Sequence, residues 1–234
     1  MTTSVQTEEA RIRDAYARRG AAIRDSWFNA GHLFMVQERE RAVLQLLRRE
    51  GFDRLDAARV LEIGCGGRTW LRDFVKWGAR PEHLTGVDLL PDRIAEARRT
   101  CPPDVTLVCG NAATLEFPNA SFDIVLQATM FTSILDADMR RAIAAEMVRL
   151  VRPHGMVLWY DYHVDNPSNP DVRGVSRREI RALFPNCRIA LRRVTLAPPL
   201  ARAVAPYSHL ACHLLQAIPL LRTHYLGVIR AGAA

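Results

Sequence analysis

The run Val60-Leu61-Glu62-Ile63-Gly64-Cys65-Gly66-Gly67-Arg68 constrains the fold of this chain more than any other stretch of it. Apolar residues at 60, 61 and 63 suit a strand covered on both faces. Gly64, Gly66 and Gly67 permit positive φ and a close approach of backbone to a ligand. The pattern predicts a helix from about Thr69 to Trp77, with its first amides aimed at the same turn. A strand, a glycine turn and a helix N-terminus make a nucleotide-type pocket at the carboxyl end of a parallel sheet. The spacing argues against a dinucleotide: in G-x-G-x-x-G counted from Gly64 the third glycine falls at 69, where threonine stands.

Strand and helix patterns alternate downstream. Strands are expected at Arg59 to Ile63, Leu84 to Asp88, Val105 to Cys109, Phe122 to Gln127 and Met156 to Tyr160, the last entered through a turn at Arg152-Pro153-His154-Gly155. Helices are expected at Pro91 to Arg99, where proline suits the first turn, and at Asp138 to Leu150. The tail adds a loop from Asp165 to Gly174 and a helix from Ser176 to Phe184 that opens on a Ser176/Glu179 capping box. It then runs through a strand from Arg188 to Leu196, a proline-broken helical region from Pro199 to Ile218, and a short last strand from Thr223 to Arg230 that closes the sheet as an antiparallel pair. Upstream, residues 1 to 7 are expected to fray, and helices are expected at Glu8 to Arg19, broken by Gly20, and at Asn29 to Arg49. This is an α/β chain with a doubly wound sheet, read as one globular unit. Residues 1–57 supply N-terminal helices and residues 58–234 the ligand-binding domain. Trp27, Phe28 and their glycine and asparagine neighbours are a candidate cover over the pocket, and equally a helix packed on the sheet edge.

Charge and cysteine usage narrow the setting. The net charge is +7, carried almost wholly by arginine, with Lys76 the single lysine. The arginines are scattered, so solvated surface cations explain them better than a binding patch for nucleic acid or membrane. Five cysteines, an odd number with no C-x-x-C pair, suggest neither a disulfide framework nor a zinc site and fit a reducing, cytoplasmic compartment. No signal peptide is expected from the polar N-terminus, and no apolar run spans a membrane.

Five motifs in order carry a resemblance to class I S-adenosylmethionine-dependent methyltransferases, in their methyltransferase type 11 or UbiE-like small-molecule branch. Val60 to Gly66 is similar to the family's first motif, and Gly86-Val87-Asp88-Leu89 to its second-strand motif. Cys109-Gly110-Asn111-Ala112 resembles the segment beside the adenine. Ser121 to Val125 resembles the fourth strand, and Leu150-Val151-Arg152-Pro153-His154-Gly155 the Leu-Arg-Pro-Gly-Gly turn. The resemblance covers residues 58 to 162 by motif. It implies a Rossmann-like, doubly wound seven-stranded sheet with an antiparallel last strand, helices on both faces, and S-adenosyl-L-methionine as cofactor. Backbone amides around Gly64, Cys65 and Gly66 would lie against the methionine portion, Glu62 would orient the turn, and Asp88 would take the ribose hydroxyls with Leu89 against the adenine. Asn111 and Ala112 would read the adenine edge, with the Asn111 amide oxygen meeting the adenine amino group. Gln127 would face the methionine portion, and Tyr16 would reach the cofactor from the first helix. Arg68, Asn111 and His154 depart from the usual glycine, aspartate and glycine; Arg68 would add a cation near the methionine carboxylate.

Methyl transfer from a sulfonium needs a nucleophile aligned with the methyl carbon in a dry pocket, and an alkyl hydroxyl also needs a general base. Period-two alternation puts Asp161 and His163 on one side of a strand and Tyr160 and Tyr162 on the other. The pair Asp161 and His163 is therefore the candidate base with its orienting carboxylate, His32 in the cover is the second candidate, and His209, His213 and His224 are read as packing or surface residues. No metal is expected, because Gln127-Ala128-Thr129 stands where magnesium-dependent relatives place an aspartate. An Asn/Asp-Pro-Pro-Tyr motif of base methylation is absent after the fourth strand. The leading reading is O-methylation of a small molecule, a lipid-linked one included, by a monomer or homodimer without a nucleic-acid partner. RNA or protein methylation, or a non-catalytic cofactor-binding partner, are the alternatives.

Overall fold

A computed structural model of the chain describes residues 3–18 and 26–232. Seven strands form one sheet: β1 (Val60–Ile63), β2 (Leu84–Asp88), β3 (Thr106–Cys109), β4 (Phe122–Ala128), β5 (Val151–Tyr162), β6 (Cys187–Leu196) and β7 (Arg222–Ala231). Their order is β3-β2-β1-β4-β5-β7-β6. The pairs among β1 to β5 are parallel, and β7 runs antiparallel to both β5 and β6. The helices are α1 (Thr3–Ala17), α2 (Ala30–Arg49), α3 (Leu71–Lys76), α4 (Pro91–Thr100), α5 (Ala137–Leu150), α6 (Arg177–Leu183), α7 (Pro198–Val204) and α8 (His209–Ala217). This is the doubly wound sheet with helices on both faces that the strand–helix alternation predicts.

Alternation along the strands feeds two cores. Leu61, Ile63, Val125, Val157 and Trp159 pack under Ile143 and Met147 of α5 and Ile180 of α6. Val60, Ile124, Leu126, Leu158 and Tyr160 pack on the opposite side, under Val43 and Leu47 of α2 and Phe74 of α3. Each fully buried leucine or phenylalanine contributes roughly 1.5–3 kcal/mol relative to an exposed one.

Several boundaries differ from the sequence reading for physical reasons. The first helix begins at Thr3, so residues 3 to 7 are helical and not frayed. Glu8 holds this helix down by accepting from Leu135 N at 2.5 Å, while Arg11 donates to Ser133 O at 2.6 Å. The breaker position Gly20 lies outside the described residues. β5 has twelve residues and includes Arg152 to Gly155, which the sequence assigns to a turn. A register shift opposite Phe122 and Ile124 absorbs that irregular piece, and Gly155 is needed where its Cβ would lie 2.5 Å from Asp123 O. β7 is ten residues long and not short, because it pairs along both edges. The proline-broken region resolves into α7 and α8, separated at Pro206-Tyr207.

Candidate active site

The carboxyl ends of β1, β2 and β4 open on a cavity of about 420 Å³. Ligand pockets are usually of this order. Gly64 (φ 69°) and Gly66 (φ 57°) form its floor in the left-handed region that glycine tolerates best. The amides of this turn do not point at the cavity as donors. Gly64 N and Cys65 N both donate to Val87 O, at 2.8 and 3.0 Å, and Gly66 N donates to Asp88 Oδ2 at 2.8 Å. The amides at the start of α3 are likewise engaged: Trp70 N and Leu71 N donate to the Glu62 carboxylate at 3.2 Å each, and Thr69 Oγ1 donates to it as well. The turn therefore contributes close approach rather than hydrogen-bond donors. Glu62 is buried, and loss of solvent pushes its carboxyl up to about 8.

Asp88 ends β2 on the cavity wall. Its two oxygens accept from Gly66 N and Leu90 N, at 2.8 and 2.9 Å, which fixes the plane of the carboxylate and leaves lone pairs on both oxygens. Burial raises its pKa against those two bonds. Leu89, Asn111 and Ala112 continue this wall. The Asn111 amide oxygen already accepts from Ala113 N at 2.8 Å, and its amide nitrogen donates to Glu9 of α1 at 2.6 Å. α1 thus lies over the Asn111 side and brings Ile12 and Tyr16 to the cavity; the Tyr16 hydroxyl is 3.2 Å from Ser133 Oγ, and the Arg93 guanidinium sits 4.6 Å from the Tyr16 ring. Cys65 and the exposed Arg68 also line the cavity; burial raises the Cys65 thiol, which therefore stays protonated.

Three residues singled out in the sequence do not reach this space. Gln127 is fully buried, accepts from Met130 N at 3.1 Å and braces the loop after β4 instead of facing the cavity. Asp161 is fully buried on the α5/α6 side, where it accepts from Tyr162 N at 2.8 Å and Thr132 N at 3.3 Å, and burial lifts it to about 7. His163 is tied by Nε2 to Arg222 O at 2.9 Å and lies 4.5 Å from the Tyr225 ring. The alternation was right and the face was wrong. The register of β5 on β7 pairs Tyr162 with His224 and Asp161 with Tyr225, so the tyrosines face the cavity and the Asp161/His163 pair faces away.

The side of the cavity away from Asp88 is built, apart from His32, from residues to which the sequence analysis gave no part in the site. Tyr160, Tyr162, Thr195 and His224 line it from the sheet. His32, Met35, Val36 and Arg39 line it from α2, and Pro198 and Arg202 from α7. The His224 ring stacks on Tyr160 at 4.7 Å and packs 3.7 Å from Tyr162, with Thr223 Oγ1 3.0 Å from its Nδ1. Burial pushes this histidine down to about 3, so it is a neutral imidazole at physiological pH. Thr195, bonded through its hydroxyl to Tyr160 at 2.9 Å, and Thr129 both hold positive φ, 61° and 57°. Branched residues rarely adopt that conformation, and such strain collects at functional sites. His32, the second candidate base, lines the same wall, with the Trp27 ring 5.6 Å away. The sequence signal for His224 was its cross-strand partner, which is visible only once β5 and β7 are known to pair. Among the described residues no group of three or more His, Cys, Asp or Glu could hold a metal ion.

An adenosine-bearing cofactor with a charged tail fits these residues. Asp88 offers lone pairs for vicinal hydroxyls, Leu89 and Ala112 offer an apolar slot, and the glycine floor admits a close backbone approach. Comparison with known proteins points the same way. Residues 60–155 match a protein-family model described as "Methyltransferase domain". The chain is 29% identical over 110 residues to 2-methyl-6-phytyl-1,4-hydroquinone methyltransferase of Synechocystis, covering 44% of this chain and 32% of that one. It is 33% identical over 140 residues to phthiotriol/phenolphthiotriol dimycocerosates methyltransferase 1 of Mycobacterium ulcerans, covering 55% of this chain and 49% of that one. The matched segments thus span half or less of these relatives. Among solved structures, the 1,6-didemethyltoxoflavin-N1-methyltransferase of Burkholderia thailandensis, bound to S-adenosylhomocysteine, superposes with a TM-score of 0.62 at 19% identity, over 100% of this chain and 92% of that one. At that identity the superposition speaks for the fold.

Proposed function

We propose that this chain, which belongs to the class I S-adenosylmethionine-dependent methyltransferase family, transfers a methyl group to a hydroxyl oxygen of a small-molecule acceptor. The observation that carries the reading is the single cavity that runs from the Gly64–Gly66 floor and Asp88 to a wall of Tyr160, Tyr162 and neutral His224. Asp88 would hold the ribose of S-adenosyl-L-methionine, Leu89, Asn111 and Ala112 the adenine side, and Tyr16 and Arg68 the open edge. The cofactor, when bound, supplies an electrophilic methyl on a sulfonium.

The protein's own part is positioning and exclusion of water. α1 and α2 both contribute side chains to the cavity wall, which supports residues 1–57 acting as its cover. His224 is the residue placed to accept a hydrogen bond from an acceptor hydroxyl, since burial keeps it unprotonated and Thr223 engages only Nδ1. A phenol already transfers its proton readily and needs such a residue for orientation more than for base strength. The names of two relatives, a phytyl hydroquinone methyltransferase and a phthiotriol dimycocerosates methyltransferase, support an apolar acceptor carrying hydroxyls. The test is incubation with the cofactor and a panel of hydroxyaromatic and lipid-linked alcohols, read by S-adenosylhomocysteine release and by the site of methylation. Methylation at oxygen, lost in His224→Phe with cofactor binding retained, is the expected result. Methylation at carbon or nitrogen, or incorporation only into RNA, would overturn it.

A further inference from the structure

At the end of the cavity away from the glycine turn lies a charge that the protein leaves uncompensated. Five arginines among the described residues bury a nitrogen that has no hydrogen-bond partner: Arg11, Arg140, Arg192, Arg202 and Arg230. Four of them are held through their other nitrogens. Arg11 donates to Ser133 O, Arg140 to Ile134 O and Arg192 to Ala42 O, and Arg230 pairs with Glu50. Arg202 is different. Its Nε is buried and unpaired, and its side chain makes no hydrogen bond or ion pair with any described residue. Yet it is half-buried and lines the cavity. A guanidinium stays charged at any physiological pH. Partly withdrawn from water, that charge costs free energy until an anion meets it.

The place of Arg202 is set by backbone contact. α7 packs on α2 so closely that a Cβ on Gly31 would lie 2.6 Å from Arg202 Cα. Ala201 and Ala205 of this segment are buried in the same cluster as Phe34 of α2. α7 springs from the end of β6, which stands four places from β1 in the sheet, roughly 19 Å at the usual strand spacing. The two carboxylates of the cavity lining, Glu62 and Asp88, are both at the β1 and β2 end. At the far end Tyr162, Thr195, Pro198 and neutral His224 bring no charge. Arg39 of α2 does line the cavity, but it is paired with Asp73 at 3.2 Å and lies over the Trp70 ring. One guanidinium at this end is therefore left without a counter-charge among the described residues.

We propose that Arg202 is the anion-recognition residue of the acceptor end of the cavity, and that the acceptor carries a carboxylate in addition to the hydroxyl it presents to His224. The inference rests on reading this cavity as a methyl-acceptor site. A guanidinium offers a planar fork of donors that matches the two oxygens of a carboxylate. A single uncompensated charge suits a monoanion. A phosphate dianion calls for a second free cation, and Arg39, already held by Asp73, does not supply one. Met35 and Val36 line the wall from α2, so the body of the acceptor meets apolar surface. Holding its carboxylate at α7 fixes the acceptor at a second point, which restricts the directions its hydroxyl can take toward the methyl group.

The test is calorimetry on the full chain loaded with S-adenosylhomocysteine. The probes are hydroxybenzoates, hydroxycinnamates and hydroxyphenylalkanoates, which step the distance between hydroxyl and carboxylate, each beside its methyl ester and the matching hydroxyphenyl phosphate. At least one acid is expected to bind tenfold or more tightly than its ester. Arg202→Met, which keeps an unbranched stem, is expected to bring that acid and its ester within about threefold of each other, and Arg202→Lys to recover part of the preference. Should Arg202→Met misfold by circular dichroism, Arg202→Gln carries the same expectation. Acids that bind no better than esters across the series, or an undiminished preference in a folded variant, overturn the proposal. Tighter binding of the phosphates overturns the choice of a carboxylate. A parallel loss of S-adenosylhomocysteine affinity in Arg202→Met overturns it in favour of a cation for the cofactor's own carboxylate. Turnover separates this inference from the reading beneath it. Acid binding that depends on Arg202, without methyl transfer, sustains the anion site and counts against transfer, whereas equal transfer to acids and esters sustains transfer and overturns the anion site.

Discussion

Replacing His224 with phenylalanine isolates one titrating group. The ring would still fit between Tyr160 and Tyr162, and the proton-binding nitrogen would be gone. In the unfolded chain an imidazole titrates near its ordinary value of 6.5; in the folded chain burial holds it near 3. The unfolded state therefore binds the extra proton, and stability falls as the solution is acidified from 6.5 toward 3. At about pH 5 the unfolded imidazole lies roughly one and a half units below its midpoint, which is worth about 2 kcal/mol, while the folded ring binds almost nothing. The figure depends little on the folded value so long as that value stays below about 4. Glu62 and Asp161 act in the opposite sense. Their pKa values are raised by burial to about 8 and about 7, so their contribution is present at low pH and lost as pH rises through those values. Both occur in each protein and cancel in the comparison. Urea unfolding at about pH 7.5 and pH 5 should show the native chain losing about 2 kcal/mol more than His224→Phe over that interval. A difference below about 0.5 kcal/mol would show that the ring is not held neutral in the folded chain, and would remove the basis for its role as an acceptor.

Asp88→Ala should weaken S-adenosylhomocysteine binding by about ten- to a hundredfold in calorimetry, since a hydrogen bond to a charged group is worth about 1.5–3 kcal/mol. A change below threefold would mean the ribose is held elsewhere. His163→Gln should leave turnover at neutral pH within about threefold, because its imidazole is committed to Arg222 O outside the cavity; a tenfold loss of kcat in a folded variant would restore it to the site.

Local spacing carried a good deal of this protein. Strand–helix alternation, the Ser176/Glu179 capping box, and the placement of Gly64, Gly66 and Asp88 at one cavity follow from short-range periodicity and turn chemistry, while Leu89, Asn111 and Ala112 were located on the same cavity by their resemblance to family motifs. These depend on residues a few positions apart, which sequence displays directly. The donors of the glycine turn were misread because their acceptors, Val87 O and the Asp88 carboxylate, come from the neighbouring strand. Glu9 reaching Asn111, 102 positions away, left no local trace.

The sequence by itself determined a parallel α/β sheet, the glycine turn at its carboxyl edge and the alternation of residues 160 to 163. Which of those residues meet the acceptor was decided only in three dimensions. Alternation says that Tyr160 and Tyr162 share one face and Asp161 and His163 the other, but it is blind to which face is which. That choice is made by the antiparallel register of β5 on β7 and by the helices covering each side. Asp161 was thereby closed under α5 and α6, and His224 was turned into the cavity between two tyrosines.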